Sequence, residues 1–109
     1  MKIHELKLDE KYFDLVRNGT KAFEIRKNDR DYRVGDLLAL SRYDSKLKSY
    51  RQNTFFLKPG VVDSVHEADT IFKRVSYATD FEQKDGYVVL GLSDELVLSR
   101  KQVAEDADG

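Results

Sequence analysis

KIHELKLDEKYFDLVRNGTKAFEIR, residues 2–26, changes its hydrophobic period twice, and those two changes decide the fold. Residues 2–8 alternate, with His4, Leu6 and Leu8 on one face and Ile3, Glu5 and Lys7 on the other, as in a half-buried strand. From Glu10 to Arg17 the apolar residues Tyr12, Phe13 and Val16 fall at i, i+1 and i+4, the spacing of an amphipathic helix. Asp9 is placed to cap that helix, Glu10 sits at its positive end and Arg17 at its negative end. Asn18-Gly19 stops it, because glycine takes the left-handed C′ conformation without a steric penalty. Residues 20–26 alternate again, with Phe23 and Ile25 opposite Ala22, Glu24 and Arg26. This pattern assigns the packing to Phe23 and Ile25 and leaves Glu24 and Arg26 on the other face.

Beyond residue 26, KNDRDYRVGD is polar and turn-rich up to Gly35-Asp36, and LLALSRYD predicts a strand from Leu37 to about Tyr43. Residues 44–53 read as a polar hairpin loop. TFFL, residues 54–57, is a short β-type run that Lys58-Pro59-Gly60 ends, and VVDSV after it offers a further strand. Residues 70–77 (TIFKRVSY) and 86–92 (GYVVLGL) predict two late strands, the second apolar enough to lie centrally. Residues 99–109 form an acidic tail after a domain of residues 1–98. One early helix and five to seven short strands without a βαβ rhythm indicate an α+β fold with a mostly antiparallel sheet or small barrel.

Length and composition narrow the function. A chain of 109 residues, 40% hydrophobic and 36% charged, is long enough for one core and too apolar for a disordered segment. The absence of cysteine excludes disulfides, thiolate metal sites and cysteine nucleophiles. His4 and His66 lie far apart and make no metal site; His4, on an apolar face, reads as a satisfied core or rim histidine. No apolar run reaches membrane-spanning length and the N-terminus has no signal-like apolar stretch, so a cytoplasmic protein is expected. Net charge is −1, against a protein that coats nucleic acid by bulk electrostatics. Residues 1–60 nonetheless carry 14 Lys or Arg against 9 Asp or Glu, a balance of +5, and residues 61–109 carry 5 against 11, a balance of −6. Either one basic face meets an anionic partner, or the charges pair off within the fold.

Gly19-Thr20-Lys21-Ala22-Phe23-Glu24-Ile25-Arg26 reads GxKxxExR, three charged side chains within six residues just after a helix. With the strand before it and RKNDRDYxVGD after it, the stretch HELKLDEKYFDLVRNGTKAFEIRKNDRDYRVGD (residues 4–36) resembles the ASCH domain of the PUA-like superfamily. It is most similar to a small single-domain bacterial and phage branch. The resemblance implies a mostly antiparallel β-barrel of five to six strands with one or two flanking helices. It also implies a charged cleft where the first helix meets the barrel, and a role with RNA.

Chemically, such a site needs cations for phosphate and an acceptor for base amino groups or ribose hydroxyls. Lys21 and Arg26 supply the cations, Arg26 with a fork that matches phosphate or stacks on a base. Glu24 supplies the acceptor. Asn28, Arg30 and Tyr32 extend the contact. A strand places Lys21 on the side away from Glu24 and Arg26, so Lys21 is expected in the turn before the regular strand. The function expected is an RNA- or nucleotide-binding module without cofactor, metal or catalytic residue.

The alternative is an amidohydrolase acting on N4-acylated cytidine, as in a related branch that uses a lysine and a threonine three residues later. Lys21 matches that lysine, but Glu24 stands at the threonine's position. A third reading is a mobile-element protein that binds a host protein.

Overall fold

A computed structural model describes residues 1–53 and 60–95. The run at 54–57, the Lys58-Pro59 turn and the acidic tail at 99–109 fall outside the described residues. Eight elements follow in chain order: β1 (Ile3–Asp9), α1 (Glu10–Arg17), β2 (Phe23–Lys27), β3 (Leu37–Asp44), β4 (Ser49–Gln52), β5 (Gly60–Val62), β6 (Thr70–Thr79) and β7 (Tyr87–Asp94). The seven strands form one sheet with the order β2-β7-β6-β3-β4-β5, and β1 pairs with β3 off that path. The registers of β2 with β7, β3 with β4, β4 with β5 and β6 with β7 are all antiparallel. Among the described residues the fold is thus α+β and mostly antiparallel, with one short helix. It departs from the expected barrel of five to six strands, having seven described strands in an open path. The extra strand is β4, which lies inside the stretch read as a loop. SYRQ has no apolar alternation to reveal it. A turn creates it: Lys48 takes a positive φ of 52°, and Asp44 accepts the N–H groups of Lys46 (2.9 Å) and Leu47 (3.0 Å), which sets Tyr43 opposite Tyr50.

The described residues fall into two compact units, and β1, β3 and β6 each contribute residues to both. The first unit comprises residues 1–4, 22–38 and 72–95 of the described chain. Its interior is built from Leu37, Leu38, Val75, Val88 and Leu90, with Tyr32 beside His4. β7 alternates between half-buried and buried positions from Tyr87 to Leu90, and a β-bulge at Ser76 shifts its register with β6.

The second unit comprises residues 5–21 and 39–71, less those not described. Here α1 begins and ends where its sequence requires. The Asp9 carboxylate accepts the Lys11 N–H at 3.0 Å, and Gly19 follows the Asn18 cap with a φ of 84°. Bonds from Lys11 N–H and then Ser45 Oγ hold the Asp9 carboxyl below its ordinary value. Phe13 and Val16 are the buried residues of α1, and Leu6, Leu8 and Leu40 are buried in the same unit. Tyr12, read as part of the same stripe, is exposed. Arg42 is buried across the ring of Phe13, 4.2 Å from its centroid. Its Nε donates to Asp69 at 2.9 Å and its second nitrogen to Asp14 at 3.2 Å. Asp69 also accepts the Asn53 N–H at 2.7 Å. Arg42 is therefore one basic residue of the first sixty that is paired with an acid beyond them.

Candidate functional site

The arrangement at β2 begins with the end of α1. Asn18 Oδ1 accepts the Thr20 N–H at 2.9 Å, and the Lys21 N–H donates to the Leu15 carbonyl at 2.9 Å. These bonds turn the chain before the regular strand starts at Phe23, so Lys21 lies in the turn, as expected. Its ammonium stands 5.2 Å from the centre of the Tyr12 ring, within cation–π range.

Across β2 the burial runs opposite to the expectation from alternation. Phe23 and Ile25 are 44% and 52% exposed, whereas Glu24 is only 5% exposed and Arg26 is half-buried. The apolar side chains that were to carry the packing face outward and the charged pair faces in. The register explains this. Glu24 pairs with Leu90 and Arg26 with Val88, both buried, so the even positions of β2 share the inner face of β7. Alternation fixes two faces; it does not say which one the rest of the chain covers.

Within this inner face Arg26 Nε donates to Glu24 Oε2 at 3.0 Å, a charge-assisted bond to a buried carboxylate. Tyr32 is buried nearby, and burial raises the pKa of its hydroxyl; Arg26 and Arg30 act on it in the opposite direction and Asp29 and Glu24 in the same one. Those five side chains share one electrostatic neighbourhood. Arg30 is exposed, in a tight turn where Asp31 adopts a φ of 50°. Asn28 is also exposed; its backbone N–H donates to the Gly86 carbonyl at 2.7 Å, and it borders a small polar hollow with Asp80, Lys84 and Tyr87. The structure therefore joins Glu24 and Arg26 directly, sets Arg30 and Tyr32 within their field, and directs Asn28 toward the β6–β7 turn. Lys21 belongs to the unit that contains α1.

A feature with no signal in the spacing supports this face. His4 and Asp36, 32 residues apart, are both buried, with His4 Nε2 and Asp36 Oδ2 2.9 Å apart. An ionised carboxylate only accepts, so Nε2 carries the proton and donates. Asp36 also accepts the N–H groups of Lys2 (3.0 Å) and Arg33 (3.0 Å). Burial would raise its pKa, but the bonds from His4, Lys2 and Arg33 outweigh burial and hold it below the ordinary value. Tyr32 lies against His4, with ring centres 4.7 Å apart. His4 is thus a satisfied core histidine that fixes Tyr32 and the loop leading to Gly35-Asp36. Among the described residues no group of three or more His, Cys, Asp or Glu is arranged to hold a metal ion. No helix among them is long and apolar enough to cross a membrane.

The class of molecule defined here is a small α+β domain with an inward-facing carboxylate–guanidinium pair on β2, which ends the path of described strands. Residues 3–92 match the family described as "Domain of unknown function (DUF3850)", and the chain belongs to that family. A stretch of 42 residues is 57% identical to the "Uncharacterized 12.9 kDa protein in GpA 3'region" of Escherichia phage P2. That stretch spans 38% of this chain and 38% of the phage protein.

Proposed function

We propose that this protein binds RNA or a nucleotide through the charged face of β2, with Glu24 and Arg26 as its centre and Arg30 as an outer phosphate contact. One observation carries the reading: β2 buries a carboxylate and half-buries its arginine while it exposes Phe23 and Ile25. Burying an ion pair where apolar side chains of similar size were available is neutral or costly for stability. Selection for folding would have favoured the opposite orientation. A buried acceptor beside a guanidinium is, in contrast, suited to a ligand that offers base or ribose donors next to a phosphate. Tyr32 closes the neighbourhood with an aromatic ring. The resemblance of residues 4–36 to ASCH domains supports the same reading and adds Asn28 to the contact set. Hydrolysis of N4-acylated cytidine is not expected, because no hydroxyl stands three residues after Lys21.

The test is an NMR chemical-shift titration with short single-stranded RNAs and with each nucleoside monophosphate. Saturable shifts at Glu24, Arg26, Arg30 and Tyr32, abolished by Glu24→Gln, are the expected result. Two or three phosphate contacts give a slope of log affinity on log salt of roughly −1.4 to −2.1 on single strands. No shift at these residues with any probe at millimolar concentration would overturn the proposal, and so would a slope near −6, which requires an extended basic surface.

A further inference from the structure

We infer that Lys2 and Arg33 form a further phosphate site, and that the Asp31 carboxylate fills it as an internal stand-in that an RNA phosphate displaces. The inference rests on the preceding reading for the identity of its ligand. One buried group brings the two cations together. Asp36 accepts the Lys2 N–H on Oδ1 and the Arg33 N–H on Oδ2, each at 3.0 Å, and the Leu37 N–H donates to the Lys2 carbonyl at 2.9 Å. The backbones of both residues are fixed on the inside while their side chains reach solvent, that of Lys2 59% exposed and that of Arg33 72%.

Asp31 lies between them. Its Oδ2 accepts from Arg33 Nε at 3.2 Å and from Arg33 Nη2 at 3.1 Å, and stands 3.9 Å from the Lys2 ammonium. An anionic oxygen that gathers guanidinium and ammonium donors is in the position of a non-bridging phosphate oxygen. Support for the fold explains the contact poorly. All three side chains are more than half exposed, where an ion pair adds little to stability. Asp31 also takes a φ of 50°, a left-handed conformation that costs an L side chain energy and is typical of functional turns. Arg30 precedes Asp31 on the same exposed turn, so a strand with one phosphate on Arg30 presents a neighbouring one to this site. Tethered by the chain, the carboxylate has an effective concentration on the order of millimolar. A free anion competes poorly with it, whereas the phosphate of a strand already held at Arg30 is tethered too and displaces it.

The test measures binding of a short labelled single-stranded RNA to the full chain by fluorescence anisotropy across a range of salt. Asp31→Asn keeps the shape of the side chain, and asparagine shares aspartate's tolerance of the left-handed conformation, so the turn is preserved. Affinity should rise about 1.5- to 5-fold, the size of an exposed ion pair that binding no longer breaks. The slope of log affinity on log salt should steepen by about 0.7, the increment for one more unit of charge met on a single strand. Arg33→Gln added to Asp31→Asn should remove both gains. Asp29→Asn takes the same charge from the same turn and should gain less. No gain from Asp31→Asn, an equal gain from Asp29→Asn, or a gain that Arg33→Gln leaves in place would each overturn the inference. Inorganic phosphate alone, followed by NMR at the Arg33 guanidinium, should shift Asp31→Asn at concentrations that leave the parent unmoved; a parent that responds equally would overturn the displacement. Glu24→Gln separates this site from the β2 reading. If it leaves RNA affinity unchanged while Asp31→Asn still gains through Arg33, the phosphate site stands and the β2 reading falls. If it abolishes binding and Asp31→Asn changes nothing, the β2 reading stands and this inference falls. RNA that binds neither the parent nor Asp31→Asn overturns both.

Discussion

Replacing Asp36 by alanine tests the idea that a buried carboxylate organises the loop beneath the β2 face. The side chain is buried and accepts from the His4 ring (2.9 Å), the Lys2 N–H (3.0 Å) and the Arg33 N–H (3.0 Å). Each bond to a charged acceptor contributes about 1.5–3 kcal/mol, but the three share one group and do not add in full. The dominant loss is the buried His4 N–H left without an acceptor. Leaving a buried donor unsatisfied costs about 1–3 kcal/mol, and with the weakened Lys2 and Arg33 bonds the expected loss at pH 7 is about 2–4 kcal/mol. At about 4 °C per kcal/mol for a chain of this length, the melting temperature should fall by about 8–16 °C. Urea unfolding followed by circular dichroism measures the free energy directly. The dependence on pH has a definite sign. The folded pKa of Asp36 lies below its ordinary 3.8, so its ionised form stabilises the fold above that value. The contribution is lost as pH falls through the folded pKa, and the gap between the parent and the alanine variant should narrow below about pH 4. A gap at pH 7 under about 1 kcal/mol, the size of an ordinary surface change, would refute the reasoning.

Two other substitutions probe the second unit. Asp69→Ala removes the acceptor of both Arg42 Nε and the Asn53 N–H and leaves the buried guanidinium over Phe13 with Asp14, so urea unfolding should show a loss approaching the about 3–5 kcal/mol of a broken buried pair. Gly19→Ala meets no atom within 4 Å, yet it forces a side chain into a φ of 84°; a loss of about 1 kcal/mol in thermal unfolding is expected, with no change in fold.

The sequence by itself determined the local events. Asp9, Glu10, Arg17 and Asn18-Gly19 act through groups within a few residues, so the helix and its ends were legible from the chain. The strands at 37–44, 70–79 and 87–94 announced themselves by apolar runs that only a sheet buries. The β4 strand did not, because SYRQ owes its place to the Lys48 turn and to pairing with Tyr43 and Asp44. Lys21, Glu24, Arg26, Asn28 and Arg30 were visible as a charged cluster, but their fates were not. Alternation states that Glu24 and Ile25 point to opposite sides of a strand; it is silent on which side becomes interior. That choice was made by Leu90 and Val88 on β7, more than sixty residues later, whose buried face the even positions of β2 share. The His4–Asp36 and Arg42–Asp69 pairs join positions 32 and 27 residues apart, and no spacing rule couples them. A charge is buried only where the fold brings its partner, and partners that meet through a sheet are set by tertiary structure.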